Sequence, residues 1–321
     1  MKVSVLINNY NYGRFLRQCI LSAKAQDYRD VEIVVVDDGS TDNSHEILAE
    51  LELSAFVVRQ PNRGQFLAVA KGLAHCSGEY VFLLDSDDYW PANYISVAVS
   101  GIERHGKPDL VFCGVTGVDK DGEPMGFERA VTRDIDYGYN YVISQHDPLL
   151  FLGNTTSAIA IKRTALSAIF SETRTLAERF VANADDVIVV GADLLGYRKV
   201  FLSGTSMFYR IHGGGVSVNI GRSKRLGYHY FMLKCMLFPL LRPVRNSNPY
   251  LSKHLPFAWE FQTKANVPFA EAIRYAKAAL LHGKPDRLKQ AWRIFAHWRA
   301  TGTTNNRLVR LLLKPNRSME G

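Results

Sequence analysis

Three carboxylate clusters and one histidine–glycine run hold the residues that could do chemistry. The run Val35-Val36 ends in Asp37-Asp38, and Leu83-Leu84 ends in Asp85-Ser86-Asp87-Asp88. Three carboxylates within four residues, directly after an apolar stretch, repel one another unless a cation or a set of donors relieves them. The matching occupant is a hard divalent cation, Mn2+ or Mg2+, shared between one or two carboxylates and the phosphate oxygens of a substrate. A further acidic pair, Asp185-Asp186, opens the apolar run Val187 to Leu195 and by residue type alone is a helix N-cap signature. Tyr209-Arg210-Ile211-His212 leads into Gly213-Gly214-Gly215, whose missing side chains let backbone approach an anion closely. The first apolar run ends Ile7-Asn8-Asn9-Tyr10 without a G-x-G-x-x-G, so the dinucleotide fingerprint is absent.

The elements that would position these groups alternate in type. Short β-branched runs at 3–7, 31–36, 55–58, 80–84 and 110–115 read as strands, with helical periodicity at 13–26, 42–52, 64–76 and 92–104 between them. That order predicts an α/β fold with a mostly parallel central sheet and helices on both faces. In such sheets ligands sit beyond the carboxyl ends of the strands, where Asn8, Asp38 and Asp85 fall. Periodicity weakens from 117 to 150. Strands then resume at 155–161, 199–202 and 206–209, with helices at 163–170 and 187–195.

Charge divides the chain. Residues 1–220 carry 20 Lys and Arg against 27 Asp and Glu, whereas residues 221–321 carry 19 against 4. The expected organisation is therefore a catalytic domain over 1–220, followed by a basic helical region over 221–321 with helices near 269–282 and 287–299. The apolar start is too short for a signal-peptide core, and no run of apolar residues is long enough to span a bilayer, so a cytoplasmic protein is expected. Four scattered cysteines without a C-x-x-C pair indicate neither a zinc site nor a disulfide framework.

Taken in order, Val3 to Asn11, Val36 to Asp42, Asn62-x-Gly64-Gln65, Lys71-Gly72-Leu73, Gly78-Glu79-Tyr80, Asp85 to Asp88 and Tyr209 to Gly214 resemble the inverting glycosyltransferases of family 2, which have the GT-A fold. The resemblance covers roughly residues 1–220, with 1–115 as the nucleotide-sugar-binding half and 116–220 as the acceptor-binding half. It implies a nucleotide-sugar donor, preferentially a UDP-sugar, and a glycan or lipid-linked acceptor in cell-surface polysaccharide assembly. Asn8 and Tyr10 would line the base pocket, with Tyr10 offering its ring. Asp38 would accept a hydrogen bond from the base, and Asp85 would contact the ribose. Asp87 would hold the metal, and His212 would complete the metal site or touch the diphosphate. Arg210 would contact the diphosphate or serve as a buried ion-pair partner. Asp186 would be the general base, with Asp185 as cap or orienter. By type alone, Tyr10 also reads as a packed aromatic and Asn8 as a strand-end cap. The sequence departs from the family after the acidic pair: Gly191-Ala192-Asp193 stands where a basic residue is usual.

The segment Tyr228 to Leu241 is aromatic and apolar and is bracketed by Arg222, Lys224, Arg225, Arg242 and Arg245. It reads either as a helix lying on an anionic membrane surface or as one packed on the catalytic domain. A catalytically silent sugar-nucleotide or glycan-binding scaffold is the alternative function. Nucleic acid is not an expected partner, because no recognised module accompanies the basic tail.

Overall fold

The computed structural model describes residues 1–51, 56–139, 153–179, 183–212, 269, 272–273, 276, 280 and 287–301. The segment Tyr228 to Arg245 and the glycines 213–215 lie outside the described residues. Among the described residues nine strands form one sheet: β1 (Val3–Asn9), β2 (Val31–Asp37), β3 (Phe56–Arg59), β4 (Tyr80–Asp85), β5 (Leu110–Val118), β6 (Pro124–Arg129), β7 (Ile135–Tyr139), β8 (Ile159–Lys162) and β9 (Arg198–Arg210). The helices are α1 (Gly13–Lys24), α2 (Ser44–Glu50), α3 (Gln65–Leu73), α4 (Tyr94–Arg104), α5 (Arg163–Arg179), α6 (Ala184–Leu194) and α7 (Arg287–Thr301).

The strand order is β3-β2-β1-β4-β8-β5-β9-β7, with β6 paired to β5. The βαβ half, β3-β2-β1-β4, is wholly parallel, as the alternation of elements requires. Beyond β4 the sheet is mixed: β8 is antiparallel to both β4 and β5, β9 is parallel to β5, and β6 and β7 pair antiparallel. Mostly parallel thus describes the first half only.

Both sheet faces are covered, and the period of two decides which side chain goes where. Val3, Val5 and Ile7 of β1 pack with α1, α2 and α4, while Leu6 points to the other face, against α3, α5 and α6. These strands are buried on both faces and so read as continuous apolar runs. Burying each such side chain contributes about 1.5–3 kcal/mol. Close approach of α3 to the sheet depends on Gly72, where a Cβ would lie 2.3 Å from Leu6 Cδ1 and 2.7 Å from Val36 Cγ2. Ala291 and Ile294 of α7 join the same layer as α3 and α5.

Beneath α6, Lys199 of β9 is fully buried and places its ammonium 2.7 Å from Asp193 and 2.8 Å from the Val189 carbonyl. Asp193 at the sequence's departure from the family pattern is therefore the partner of a core lysine. The described cysteines, Cys19, Cys76 and Cys113, are buried free thiols.

Candidate active site

The register of the parallel strands brings the first site residues together. Asn8 stands beside Asp85 across β1 and β4, and Asn9 beside Asp37 across β1 and β2. A cavity of about 670 Å3 opens beyond these strand ends and is lined by Asn8, Tyr10, Asp38, Asp85, Asp87 and Arg210, among others. Residues separated by two hundred positions thus share one cleft.

Asp38 is buried and held rigidly. Its Oδ1 accepts from Gln60 Nε2 at 2.7 Å and from the Arg63 N–H at 2.9 Å, and its Oδ2 accepts from the Gly64 N–H at 2.8 Å. A carboxylate accepts about four hydrogen bonds, so Oδ2 retains capacity for one more. The turn that follows requires Gly39, whose φ is +78° and whose Cβ would lie 2.7 Å from the Asn62 nitrogen. Tyr10 is 44% exposed at the cavity mouth, which leaves its ring available for stacking.

Asp85 accepts from Gln65 Nε2 at 2.8 Å, and the side chains of Asn8 and Thr156 beside it favour its charged form. Burial and the neighbouring charge of Asp87 nevertheless push its carboxyl up to about 6. The Oδ1 of Asn8 and the Oγ of Ser86 are buried at this wall without a hydrogen-bond partner among the described residues. Asp87 lies 3.0 Å from His212 Nε2, bridging 125 positions of chain. The other His212 nitrogen is 3.4 Å from Arg14, and the ring packs between Tyr12 and Phe15. Asp88 is buried at the cavity wall, accepting the Ser157 hydroxyl at 2.6 Å and the Arg210 backbone N–H at 2.9 Å. Its carboxyl is raised by burial and by the charges of Asp87 and Asp85.

Arg210 borders the cavity, yet its guanidinium is committed to the protein. It donates to the Asp87 carbonyl at 2.9 Å, the Lys120 carbonyl at 2.8 Å and Gln18 Oε1 at 2.6 Å, and stacks over Phe15 and Tyr89. It pins the Asp87 backbone, and the partners found are carbonyls rather than carboxylates. The exposed cation lining the cavity is Arg14, at the second residue of α1, which sequence reasoning missed.

The acidic pair divides in the same way. Helix α6 starts at Ala184 after Asn183, three residues before the expected Val187, which puts both acids in its first turn, where the helix dipole favours them. Asp185 lines the cavity. Asp186 does not: it is 6% exposed, with Oδ2 3.3 Å from Asn183 Nδ2. The carboxyl of Asp185 is pushed well above the ordinary range by burial and by the charges of Asp186 and Asp85. Gln65, unassigned from sequence, joins the two sides by accepting the Ala184 N–H at 3.2 Å while donating to Asp85. Among the described residues no three His, Cys, Asp or Glu side chains converge into a ready-made metal cage.

Residues 4–170 match the family model described as glycosyl transferase family 2, and the chain belongs to that family. A glycosyltransferase of Nostoc sp., alr2836, is 33% identical over 230 residues, which is 66% of each protein. The chain spans between 15% and 66% of the length of this and the next curated relatives it matches. The Escherichia coli protein WfaP, named as a UDP-Glc:alpha-D-GlcNAc-diphosphoundecaprenol beta-1,3-glucosyltransferase, is 25% identical over 68% of this chain and 80% of its own. In structure the chain is similar to the mannosyltransferase PcManGT of Pyrobaculum calidifontis, solved with GDP-Man and Mn2+. The TM-score is 0.50 at 20% identity, covering 94% of this chain and 86% of that one. The fold is accordingly GT-A.

Proposed function

We propose that the protein is an inverting, metal-dependent glycosyltransferase that moves a sugar from a nucleotide diphosphate, preferentially UDP, to a glycan or lipid-linked acceptor. The observation that carries this reading is the single cavity lined by Tyr10, Asp38, Asp85 and Asp87 on one side and by Asp185 on another. The donor preference and a lipid-linked acceptor draw support from the activity for which WfaP is named.

Tyr10 would stack on the base, and the spare lone pair of Asp38 would accept its N–H. Asp85 would take the ribose hydroxyls. Asp87, with His212 beside it, suits a divalent cation held by one or two protein ligands and by donor phosphates. When bound, the ion would stabilise negative charge on the departing diphosphate. Its presence in PcManGT supports the reading.

For the general base we favour Asp185 over Asp186, because only Asp185 lines the cavity. A carboxylate acting there as general base toward an acceptor hydroxyl typically contributes about 10² to 10⁴ in rate. One base and one leaving group acting in line invert the anomeric carbon without a covalent sugar intermediate. Arg14 rather than Arg210 would offer an exposed cation to the diphosphate. Attachment to the inner face of a membrane through Tyr228 to Arg245 is supported by sequence alone. No helix among the described residues is long and apolar enough to cross a membrane.

The test is a panel of sugar nucleotides assayed by thermal shift with and without Mn2+, followed by product analysis for anomeric configuration. Asp87→Ala is expected to fold and to lose Mn2+-dependent UDP binding. Retained, Mn2+-responsive affinity would sink the metal assignment. Donor binding without hydrolysis or transfer to any acceptor would favour the silent scaffold.

A further inference from the structure

Helix α7 packs on the core through one face and breaks the amphipathic rule along the flank of that face. Ala291 and Ile294 are buried, and Phe295 and Trp298 pack partly against the same layer. The flank of a helix so placed, where it turns to solvent, is ordinarily polar. Here Leu288 and Trp292 are 74% and 70% exposed, the two most exposed large apolar side chains among the described residues. At 3.6 residues per turn, Leu288, Trp292 and Arg299 point within about 40° of one another, with Lys289 about 60° further round. Lys289 and Arg299 are exposed.

Single exposed apolar residues are ordinary, but a leucine and a tryptophan stacked at i and i+4 between cations form a patch. Arg287–Thr301 contains Arg287, Lys289, Arg293 and Arg299 and no Asp or Glu. The charge selects the occupant: the 19-to-4 excess of basic over acidic residues across 221–321 calls for an extended anionic surface. The tryptophan calls for a boundary between polar and apolar media.

We propose that α7 docks the protein on anionic lipid bilayers, with Leu288 and Trp292 entering the boundary between headgroups and acyl chains and Lys289 and Arg299 resting on the headgroups. The partner is of the kind expected for Tyr228 to Arg245, but the side chains are different, and the inference does not depend on the transferase reading.

The experiment uses the full chain with phosphatidylcholine vesicles, with and without phosphatidylglycerol, at low and high salt. Wild-type protein is expected to co-sediment with the phosphatidylglycerol vesicles, with a blue shift of tryptophan emission. Leu288→Ser/Trp292→Ser should partition at least about tenfold more weakly while keeping its melting temperature and its UDP affinity, since both side chains are solvent-exposed. Lys289→Glu/Arg299→Glu should weaken binding chiefly at low salt. Trp292→Phe should retain sedimentation and lose most of the blue shift. The proposal is overturned if wild-type protein stays in the supernatant, or if the serine variant sediments like wild type. It is also overturned if light scattering reveals a dimer that the serine variant abolishes, which would make the face a contact between copies.

Discussion

Gln65 Nε2 lies 2.8 Å from Asp85 Oδ1, and the same side chain accepts the Ala184 N–H through its Oε1. One amide therefore sets the spacing between the carboxylate expected to hold the ribose and the helix that presents Asp185. Gln65→Ala should lower kcat and raise KM for the donor together, by about tenfold or more in kcat/KM. Gln65→Glu should be worse, because it sets a carboxylate against Asp85. Steady-state kinetics with varied donor and acceptor check both; a change confined to thermal stability would mark Gln65 as structural only.

The two acids at the start of α6 make opposite predictions. Asp185→Asn should leave donor affinity near wild type and reduce turnover by about 10² or more. Asp186→Asn, with its side chain turned to Asn183, should change stability more than rate. Turnover lost in the Asp186 variant and kept in the Asp185 variant would reverse the assignment.

The two arginines separate binding from architecture. Arg14→Ala should weaken UDP binding by about tenfold, the loss of one charge-assisted contact, at unchanged melting temperature. Arg210→Ala strips partners from the carbonyls of Asp87, Asp119 and Lys120 and from Gln18 and empties the space over Phe15 and Tyr89, so it should cost about 3 kcal/mol or more of stability. Titration calorimetry with UDP and denaturant unfolding distinguish the two.

Asp134 predicts a pH dependence of stability. Burial alone would raise its carboxyl, but the Ser203 N–H and hydroxyl, His105 and Arg104 overcome that and hold it at about 2, against an ordinary 3.8. A carboxylate depressed on folding contributes stability that is fully present above its unfolded value and lost as pH falls through its folded one. Asp134→Asn should therefore cost about 2 kcal/mol near neutrality, with the difference from wild type closing between about pH 4 and pH 2. Urea unfolding of both proteins across that range measures it.

The parallel half of the fold was legible because its strands are buried on both faces. The readings at 3–7, 31–36 and 80–84 fall inside β1, β2 and β4. Strand β6 was not legible: all six residues of Pro124–Arg129 are exposed, so no apolar period marks it. Strand β9 read as two pieces, since Gly204, at φ +88°, sits where its pairing with β5 shifts register. At the site, the strand-end carboxylates announced themselves by position. The choice between Asp185 and Asp186 did not, because neighbouring helical residues diverge by about 100° and the true helix start decides which one faces the cleft. Arg14 gave no signal, since a single arginine on an amphipathic helix reads as a solvated one.

The buried pair of Asp193 and Lys199 constrains how this chain can change through descent. Losing either partner takes the opposite charge of this pair away from the other in the core, at about 3–5 kcal/mol, a large share of the roughly 5–15 kcal/mol that holds a domain folded. Replacing both with apolar residues of similar volume is nearly neutral or stabilising. The two positions are thus separated from any apolar alternative by a valley that single substitutions cross only at the expense of folding. Close kin are expected to carry both charges or neither.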